Sequence, residues 1–213
     1  GARRWDKKNN KLYNSAFMLA ENGDILDVYD KIKLVPFGEY IPFGQLFAKM
    51  QIFGLAEDGL IGFSSGDLKY HFNTEQLGII KILICYEAIF AQDIRSSFQR
   101  PSWIIHITND AWFGAFSGPQ QHLTLVRMRA IEQGLPIVRS ANTGISAIIG
   151  PYGRIHKKLE LGNAGYLDGI LPSALGPTPY FLIGPKFFNL LLLNVLLLTI
   201  VSLIFIKWMK KLR

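Results

Sequence analysis

The chain has 213 residues and a formal net charge of +7, with 49% hydrophobic but only 18% charged residues. This length is sufficient for one sizeable domain with an appendage, and the single cysteine excludes an intrachain disulfide. No basic run is interleaved with aromatic residues and no nucleic-acid module is recognisable, so we expect no nucleic-acid partner.

The N-terminal part of the chain predicts a β-hairpin followed by an ordered loop. Residues 1–5 carry no initiator methionine and no signal-peptide pattern, so we expect a C-terminal fragment of a longer protein. Ser15–Ala20 and Ile25–Tyr29 flank Asn22-Gly23, a pair typical of hairpin turns. Prolines and glycines then exclude regular structure as far as Pro42. The apolar residues 43–60 are either a mobile acyl-gating lid or ordinary core.

A short apolar run ends at the only cysteine of the chain. Residues 78–84 are rich in isoleucine and predict a buried, parallel strand. Active-site residues of layered α/β proteins gather at the carboxyl ends of such strands. Cys85, with Glu87 two residues later, is therefore a candidate nucleophile. The alternative is that a lone cysteine is a small buried hydrophobic residue.

The following elements alternate between helix and strand, which is typical of a layered α/β domain. We predict helices over 88–98 and 120–133, strands over 103–108, 135–138, 145–149 and 165–171, and a loop over Asn109–Gly114. The side chains of His122, Arg127, Arg129 and Glu132 lie on the second helix and are interpreted as structural.

The C-terminal region predicts a membrane span. The twenty residues 187–206 carry no charge, and at about 1.5 Å per residue they match a hydrocarbon core of roughly 30 Å. A buried core helix is the alternative. The basic tail 207–213 favours a cytoplasmic C-terminus, so the domain formed by residues 1–180 is expected on the opposite side of the membrane.

Acyl transfer by a thiol requires a thiolate, a proton carrier and a site for the oxyanion. No Cys/His pair is obvious, but a lysine and a carboxylate are alternatives. Tyr29-Asp-Lys-Ile-Lys-Leu34 and Ile84-Cys-Tyr-Glu87 resemble the lysine motif and the cysteine elbow of the nitrilase superfamily. Further strings narrow the resemblance to its membrane-bound branch, the apolipoprotein N-acyltransferase family: Leu34-Val-Pro-Phe-Gly-Glu-Tyr-Ile-Pro42, Asn109-Asp-Ala-Trp-Phe-Gly114, Gly118-Pro-Gln-Gln-His122, Arg127-Met-Arg-Ala-Ile-Glu132 and Arg139-Ser-Ala-Asn-Thr-Gly144.

This resemblance implies an α/β fold, a partial nitrilase-like αββα sandwich followed by one transmembrane helix. It implies a Glu-Lys-Cys triad in which Cys85 is the nucleophile and Lys31 the catalytic lysine, with Glu39 as a second glutamate of the site. The general-base glutamate of the family lies upstream and is assigned to no residue here. Supporting and pocket residues on the matching positions are Tyr86, whose N–H completes the oxyanion hole, Glu87, Asn109, Trp112 and Phe113.

The resemblance also implies substrates and a location. The acyl donor would be a phospholipid, phosphatidylethanolamine, and the acceptor a diacylated apolipoprotein. The protein would be multi-pass in the bacterial inner membrane with its catalytic domain in the periplasm, and it would need no cofactor and no metal. Two alternatives are a membrane-anchored nitrilase-like amidohydrolase, which passes the acyl group to water, and a non-catalytic membrane-anchored binding domain.

Overall fold

A computed structural model describes residues 1–42, 62–67, 71–95 and 99–211. The candidate lid at 43–60 and the end of the helix predicted over 88–98 lie outside the described residues.

The first three strands form a small antiparallel sheet in the order β1-β2-β3: β1 (Ala2–Asp6), β2 (Lys11–Leu19) and β3 (Ile25–Asp30). Strands β2 and β3 are the predicted hairpin, which is confirmed with Ser15 opposite Asp30. Its turn contains Gly23 at a φ of +88°, a conformation that glycine adopts without strain. Strand β1 was not predicted.

The second sheet has six strands in chain order: β4 (His71–Thr74), β5 (Gly78–Ile84), β6 (Trp103–Asn109), β7 (Ile137–Asn142), β8 (Ser146–Ile149) and β9 (Ile155–Leu159). Its central strands β5, β6 and β7 are parallel, and the outer pairings are antiparallel. The predicted parallel strand before Cys85 is confirmed, because β5 pairs in parallel with β6. The carboxyl ends of these three central strands therefore meet at one edge.

Two helical predictions differ in outcome. The helix expected over 88–98 is wrong in form: a 3₁₀ turn over Cys85–Ile89 comes first, Phe90 leaves helical geometry with a ψ of 84°, and only then does α1 (Ala91–Arg95) begin. The second helix is confirmed as α2 (Gly118–Gln133), and Gly134 ends it at a φ of +63°.

The strand predicted over 165–171 is wrong. No strand occurs between β9 and the helix α3 (Pro179–Ile183). Tyr166, Ile170 and Leu171 of this segment are exposed and do not pack on a sheet. The Asp168 carbonyl accepts a hydrogen bond from the Lys157 side chain at 2.7 Å instead of from a neighbouring strand.

Side chains of β5 divide between two cores. Ile80, Ile82 and Ile84 point toward the small sheet and pack with Ala16 and Tyr29. Leu83 points the other way, into a core that contains Val126 and Ala130 of α2. A small sheet, a large sheet and a helix therefore form three successive layers of the predicted αββα sandwich.

The last helix, α4 (Pro185–Lys211), has the length and composition of a membrane span. Its segment Asn189–Met209 is 21 residues long with a mean hydropathy of 2.6, and none of its most apolar part is buried within the structure. A soluble core helix would bury one face, so the exposed apolar surface favours the predicted span.

Candidate active site

Cys85 lies immediately after β5, at the carboxyl edge of the parallel strands. Its φ is +50°, a left-handed conformation that costs a residue with a β-carbon about 1 kcal/mol or more. The thiol belongs to a half-buried residue that packs against the core between the two sheets. Such strain persists only where the surrounding structure fixes the backbone.

Glu87 fixes the backbone on both sides of this site. Four donors surround its carboxylate at 2.7 to 3.2 Å: the Tyr29 hydroxyl and the backbone N–H groups of Ile32, Lys33 and Ile84. The first three belong to the segment around Lys31, and the fourth precedes Cys85. Burial raises the pKa of Glu87 above its usual value, whereas the hydrogen bonds oppose that rise. Because all four neighbours donate, the carboxylate form fits this environment.

Lys31 and Glu39 form a buried ion pair. The Lys31 ammonium lies 2.7 Å from Glu39 Oε2, and the Lys31 residue is only 1% exposed. Glu39 Oε2 also accepts the Val35 N–H at 2.8 Å, and its other oxygen accepts the Asn14 amide at 2.9 Å. Glu39 therefore holds the lysine ammonium and closes the 35–39 loop around it.

An extended strap over residues 62–67 covers this loop. Its backbone N–H groups donate to three carbonyls at 2.7 to 2.9 Å: Phe63 to Glu39, Ser64 to Leu12 and Gly66 to Lys31. Ser65 Oγ adds a bond to the Ile32 carbonyl at 2.8 Å. The strap thus fixes the backbone of both members of the ion pair.

A second polar cluster lies beneath Cys85, on the α2 side of the large sheet. Four buried side chains form it: His106 of β6, Asp110, His122 of α2 and Arg139 of β7. Asp110 accepts the Arg139 guanidinium at 2.5 Å, and its other oxygen accepts bonds from Thr108 at 3.0 Å and from His122 at 2.9 Å. Burial alone would raise the pKa of Asp110, but the His122 bond and the Arg139 charge bring it below its ordinary value.

Of the three predicted pocket residues, Asn109 ends β6, and Trp112 and Phe113 lie on the turn that follows it. Asn109 is exposed, and its side chain accepts the Ala111 N–H at 3.2 Å, which caps the turn. Trp112 is 70% exposed, and its ring lies against Gly38 of the Glu39 loop. Phe113 is half exposed and contacts the His122 ring edge-to-face at 5.4 Å. Among the described residues these aromatic side chains form an exposed apolar rim, and their role in a substrate pocket stays a prediction.

Hydrogen bonds and packing connect the segments that carry several of the residues singled out in the sequence. Glu87 joins the Cys85 turn to the Lys31 segment, and Trp112 contacts the loop that carries Glu39. Sequence reasoning missed the buried cluster and the strap. A histidine at the centre of the isoleucine-rich strand β6 was the one available signal, since a buried polar side chain requires partners.

Among the described residues, no group of three or more His, Cys, Asp or Glu side chains is arranged to bind a metal ion. That the protein needs neither a metal nor a cofactor stays a prediction.

Solved structures share this fold. A Saccharomyces cerevisiae protein, Nit3, described as a member of branch 10 of the nitrilase superfamily, aligns with a TM-score of 0.54 at 20% identity over 76% of this chain and 54% of its own. A carbon-nitrogen hydrolase from Helicobacter pylori aligns with a TM-score of 0.51 at 18% identity over 73% of this chain and 55% of its own. The fold is therefore nitrilase-like.

Sequence relatives are more similar. An apolipoprotein N-acyltransferase of Rhodopseudomonas palustris is 48% identical over 175 residues, covering 82% of this chain and 32% of the relative. One from Rickettsia bellii is 41% identical over 197 residues, covering 92% of this chain and 37% of the relative. The chain spans about a third of the length of these relatives. Since the carbon-nitrogen hydrolase family matches residues 1–179, the chain belongs to that family, and among its members it is similar to the apolipoprotein N-acyltransferases.

Proposed function

We propose that this chain carries the thiol, the lysine and the oxyanion donor of an apolipoprotein N-acyltransferase. One observation supports this most strongly: Glu87 ties the strained Cys85 turn to the segment that carries the buried Lys31–Glu39 pair. A nucleophile after β5 and a fixed cation after β3, on segments that Glu87 connects, suit a reaction in which negative charge develops.

In the first half-reaction, the Cys85 thiolate attacks an ester carbonyl of a phospholipid, which we take to be phosphatidylethanolamine. A carbon–sulfur bond forms, and the negative charge on the carbonyl oxygen is stabilised by Lys31 and the Tyr86 N–H. The carbon–oxygen bond then breaks, and the lysophospholipid leaves after taking up a proton. The product is a Cys85 thioester.

In the second half-reaction, the α-amine of an S-diacylglyceryl-cysteine at the N-terminus of an apolipoprotein attacks the thioester. A carbon–nitrogen bond forms, the carbon–sulfur bond breaks, and the amine loses its proton as the Cys85 thiolate is restored. A thioester suits this step because it is reactive toward amines. The base that accepts these protons is assigned to no residue of this sequence.

The exposed apolar helix supports a membrane setting for these lipid substrates. We assign residues 1–180 to the catalytic domain, 187–206 to a transmembrane helix and 207–213 to a cytoplasmic tail. The location proposed is the bacterial inner membrane, with further spans elsewhere in the whole protein and the catalytic domain in the periplasm.

Intact mass measurement of the whole protein, incubated with phosphatidylethanolamine in detergent, tests this function. The expected result is a hydroxylamine-labile acyl adduct on the wild type that Cys85→Ala lacks and that a diacylated lipopeptide discharges. Absence of the adduct, with ammonia released from small amides instead, would contradict acyl transfer and support a membrane-anchored amidohydrolase. Absence of both would leave a binding domain.

A further inference from the structure

His106 contacts the backbone of the nucleophile. It lies in the middle of β6, fully buried, opposite Leu83 in the parallel pairing with β5. Its Nε2 atom is 3.1 Å from the carbonyl oxygen of Cys85. The proposed reaction gives this histidine no direct part, and a buried imidazole between the isoleucines of β6 requires an explanation.

Arg139 determines which nitrogen of His106 carries the proton. Arg139 Nη1 is 2.7 Å from His106 Nδ1, and because a guanidinium only donates, Nδ1 must accept. The ring proton therefore lies on Nε2 and is donated to the Cys85 carbonyl. The guanidinium is itself held by Asp110 at 2.5 Å and by the Ile145 carbonyl at 3.0 Å. The direction of the hydrogen bond is thus set by the cluster beneath.

The Cys85 carbonyl and the Tyr86 N–H belong to one planar peptide unit. In a trans peptide these two groups point in opposite directions, so a donor that fixes the oxygen also fixes the direction of the N–H. Cys85 needs such a restraint because its φ is +50°. Glu87 holds the preceding N–H, of Ile84, at 2.8 Å. Hydrogen bonds therefore hold the chain on both sides of Cys85.

We propose that His106 is a positioning residue for the oxyanion donor: through the Cys85 carbonyl it sets the direction of the Tyr86 N–H. The inference rests on the proposed function, which uses that N–H to stabilise the tetrahedral intermediate. The two ring nitrogens of His106 bind the Cys85 carbonyl and Arg139, so its proposed effect on the reaction is indirect. It therefore affects steps that pass through an oxyanion and leaves other reactions of the thiol unchanged.

Two reactions of Cys85 distinguish an effect of His106 on the oxyanion site from an effect on the thiol itself. Acylation by p-nitrophenyl butyrate passes through a tetrahedral oxyanion, whereas alkylation by iodoacetamide is a direct displacement without one. Both require the thiolate, so the ratio of the two rates reports the oxyanion site alone. In the whole protein, mass spectrometry of the peptide that contains Cys85 measures each rate.

The matched variants are His106→Gln, whose amide can still donate, and His106→Met, which has similar size and no donor. Loss of one oxyanion donor reduces acyl transfer by about 100-fold or more, so we expect the acylation-to-alkylation ratio of His106→Met to fall by about 30-fold or more. We expect His106→Gln to keep the ratio within about fivefold of the wild type, because its amide N–H can still donate a hydrogen bond to the Cys85 carbonyl. His71→Gln, on β4, controls for loss of a histidine elsewhere in the sheet.

A ratio that is equal in the Gln and Met variants would overturn the proposal, as would a parallel fall in both rates. If His106→Met does not fold, as judged by its thermal unfolding, His106→Gln decides: a retained ratio supports the proposal and a lost ratio overturns it. The assay uses the ester as acyl donor and does not depend on the phospholipid. Acylation of the wild type by the ester but not by phosphatidylethanolamine would therefore contradict the proposed function, while the role of His106 could still be tested. A wild-type thiol that is alkylated but never acylated overturns the positioning of an oxyanion donor.

Discussion

At the scale of single residues, the Glu87 carboxylate connects the two segments of the candidate site by accepting hydrogen bonds from both. One carboxylate satisfies four donors from two segments that are more than fifty residues apart in the chain. The sequence motif indicates Glu87 as a support of the cysteine turn, but the partner on the Lys31 side follows only from the folded structure. No local pattern predicts a contact between positions 32 and 87.

We predict that Glu87→Gln lowers the free energy of unfolding by about 1.5–3 kcal/mol, since hydrogen bonds to a charged group are replaced and an amide N–H₂ must face donors. Thermal unfolding of the whole protein in detergent measures the change. Glu21→Gln, in the exposed hairpin turn, is the matched control and should change stability little. Equal midpoints for the two variants would contradict the importance of the four contacts.

Acid sensitivity is a second prediction at this scale. Burial, and then the charge of Lys81, lowers the pKa of His71 to about 4. Burial, and then the charge of Arg139, lowers the pKa of His106 well below its ordinary value. Between the unfolded pKa of about 6.5 and these lower values, the unfolded chain binds protons that the folded chain does not. Each histidine therefore makes stability fall as the pH decreases from about 6.5.

The difference between variants isolates this effect from other titrating groups. We expect His71→Gln to show a smaller loss of thermal midpoint between about pH 7 and 5 than the wild type, because one such histidine is removed. His156→Gln, at an exposed position, should retain the wild-type dependence. A His71→Gln profile that is parallel to the wild type would show that His71 titrates normally in the folded chain.

At the scale of elements, periodicity predicted the parts of the fold that bury apolar side chains. Strands β2, β3, β5 and β6 have clear apolar patterns, and each occurs where it was expected. Helix α2 also occurs where it was expected, although its buried face includes polar side chains. The missed strands have polar sequences: Ala2–Asp6 and Ile155–Leu159 are rich in Arg and Lys, and His71–Thr74 has one buried apolar side chain. All three lie at sheet edges, where pairing requires little burial. The strap has no recognisable sequence pattern because three of its hydrogen bonds to other segments come from backbone N–H groups and one from a side chain.

Gly66 shows why the strap depends on a glycine. A β-carbon at this position would lie 2.7 Å from Asp30 Cβ and 2.8 Å from the Asp30 carbonyl carbon. Because the second atom is backbone, the strap itself must move. Its bond from Gly66 N–H to the Lys31 carbonyl, now 2.9 Å, would then be lost.

We therefore predict that Gly66→Ala destabilises the protein by about 1–3 kcal/mol and slows acylation of Cys85, since Lys31 loses a backbone restraint. The p-nitrophenyl ester assay and thermal unfolding measure the two effects. Gly176→Ala is the control, because no atom of the described residues, apart from its two chain neighbours, lies within 4 Å of its added β-carbon. If both alanine variants behave alike, the strap does not position Lys31.

At the scale of the whole molecule, the two cores and the terminal helix have different surroundings. The cores lie between sheets and helix, whereas the surface of Asn189–Met209 remains apolar and uncovered. Composition predicted this contrast, because burial in lipid requires a long uniform apolar run and burial in protein requires only one face. The ion pair between Asp110 and Arg139, which are 29 residues apart, has no sequence pattern that predicts it. It forms because β6 and β7 pair in parallel.

A charge placed in α4 tests whether this surface contacts lipid. Arginine near the centre of a transmembrane helix costs about 2.5–3.5 kcal/mol, while near an end its long side chain reaches the interface at little cost. We predict that Leu198→Arg reduces the membrane-inserted fraction of α4 in microsomes, measured by glycosylation of flanking acceptor sites, and that Met209→Arg leaves it near the wild-type value. The two substitutions add the same side chain, so only its depth differs. Equal insertion of both variants would mean that the centre of α4 is not in hydrocarbon, and α4 would then have to be covered by another protein surface.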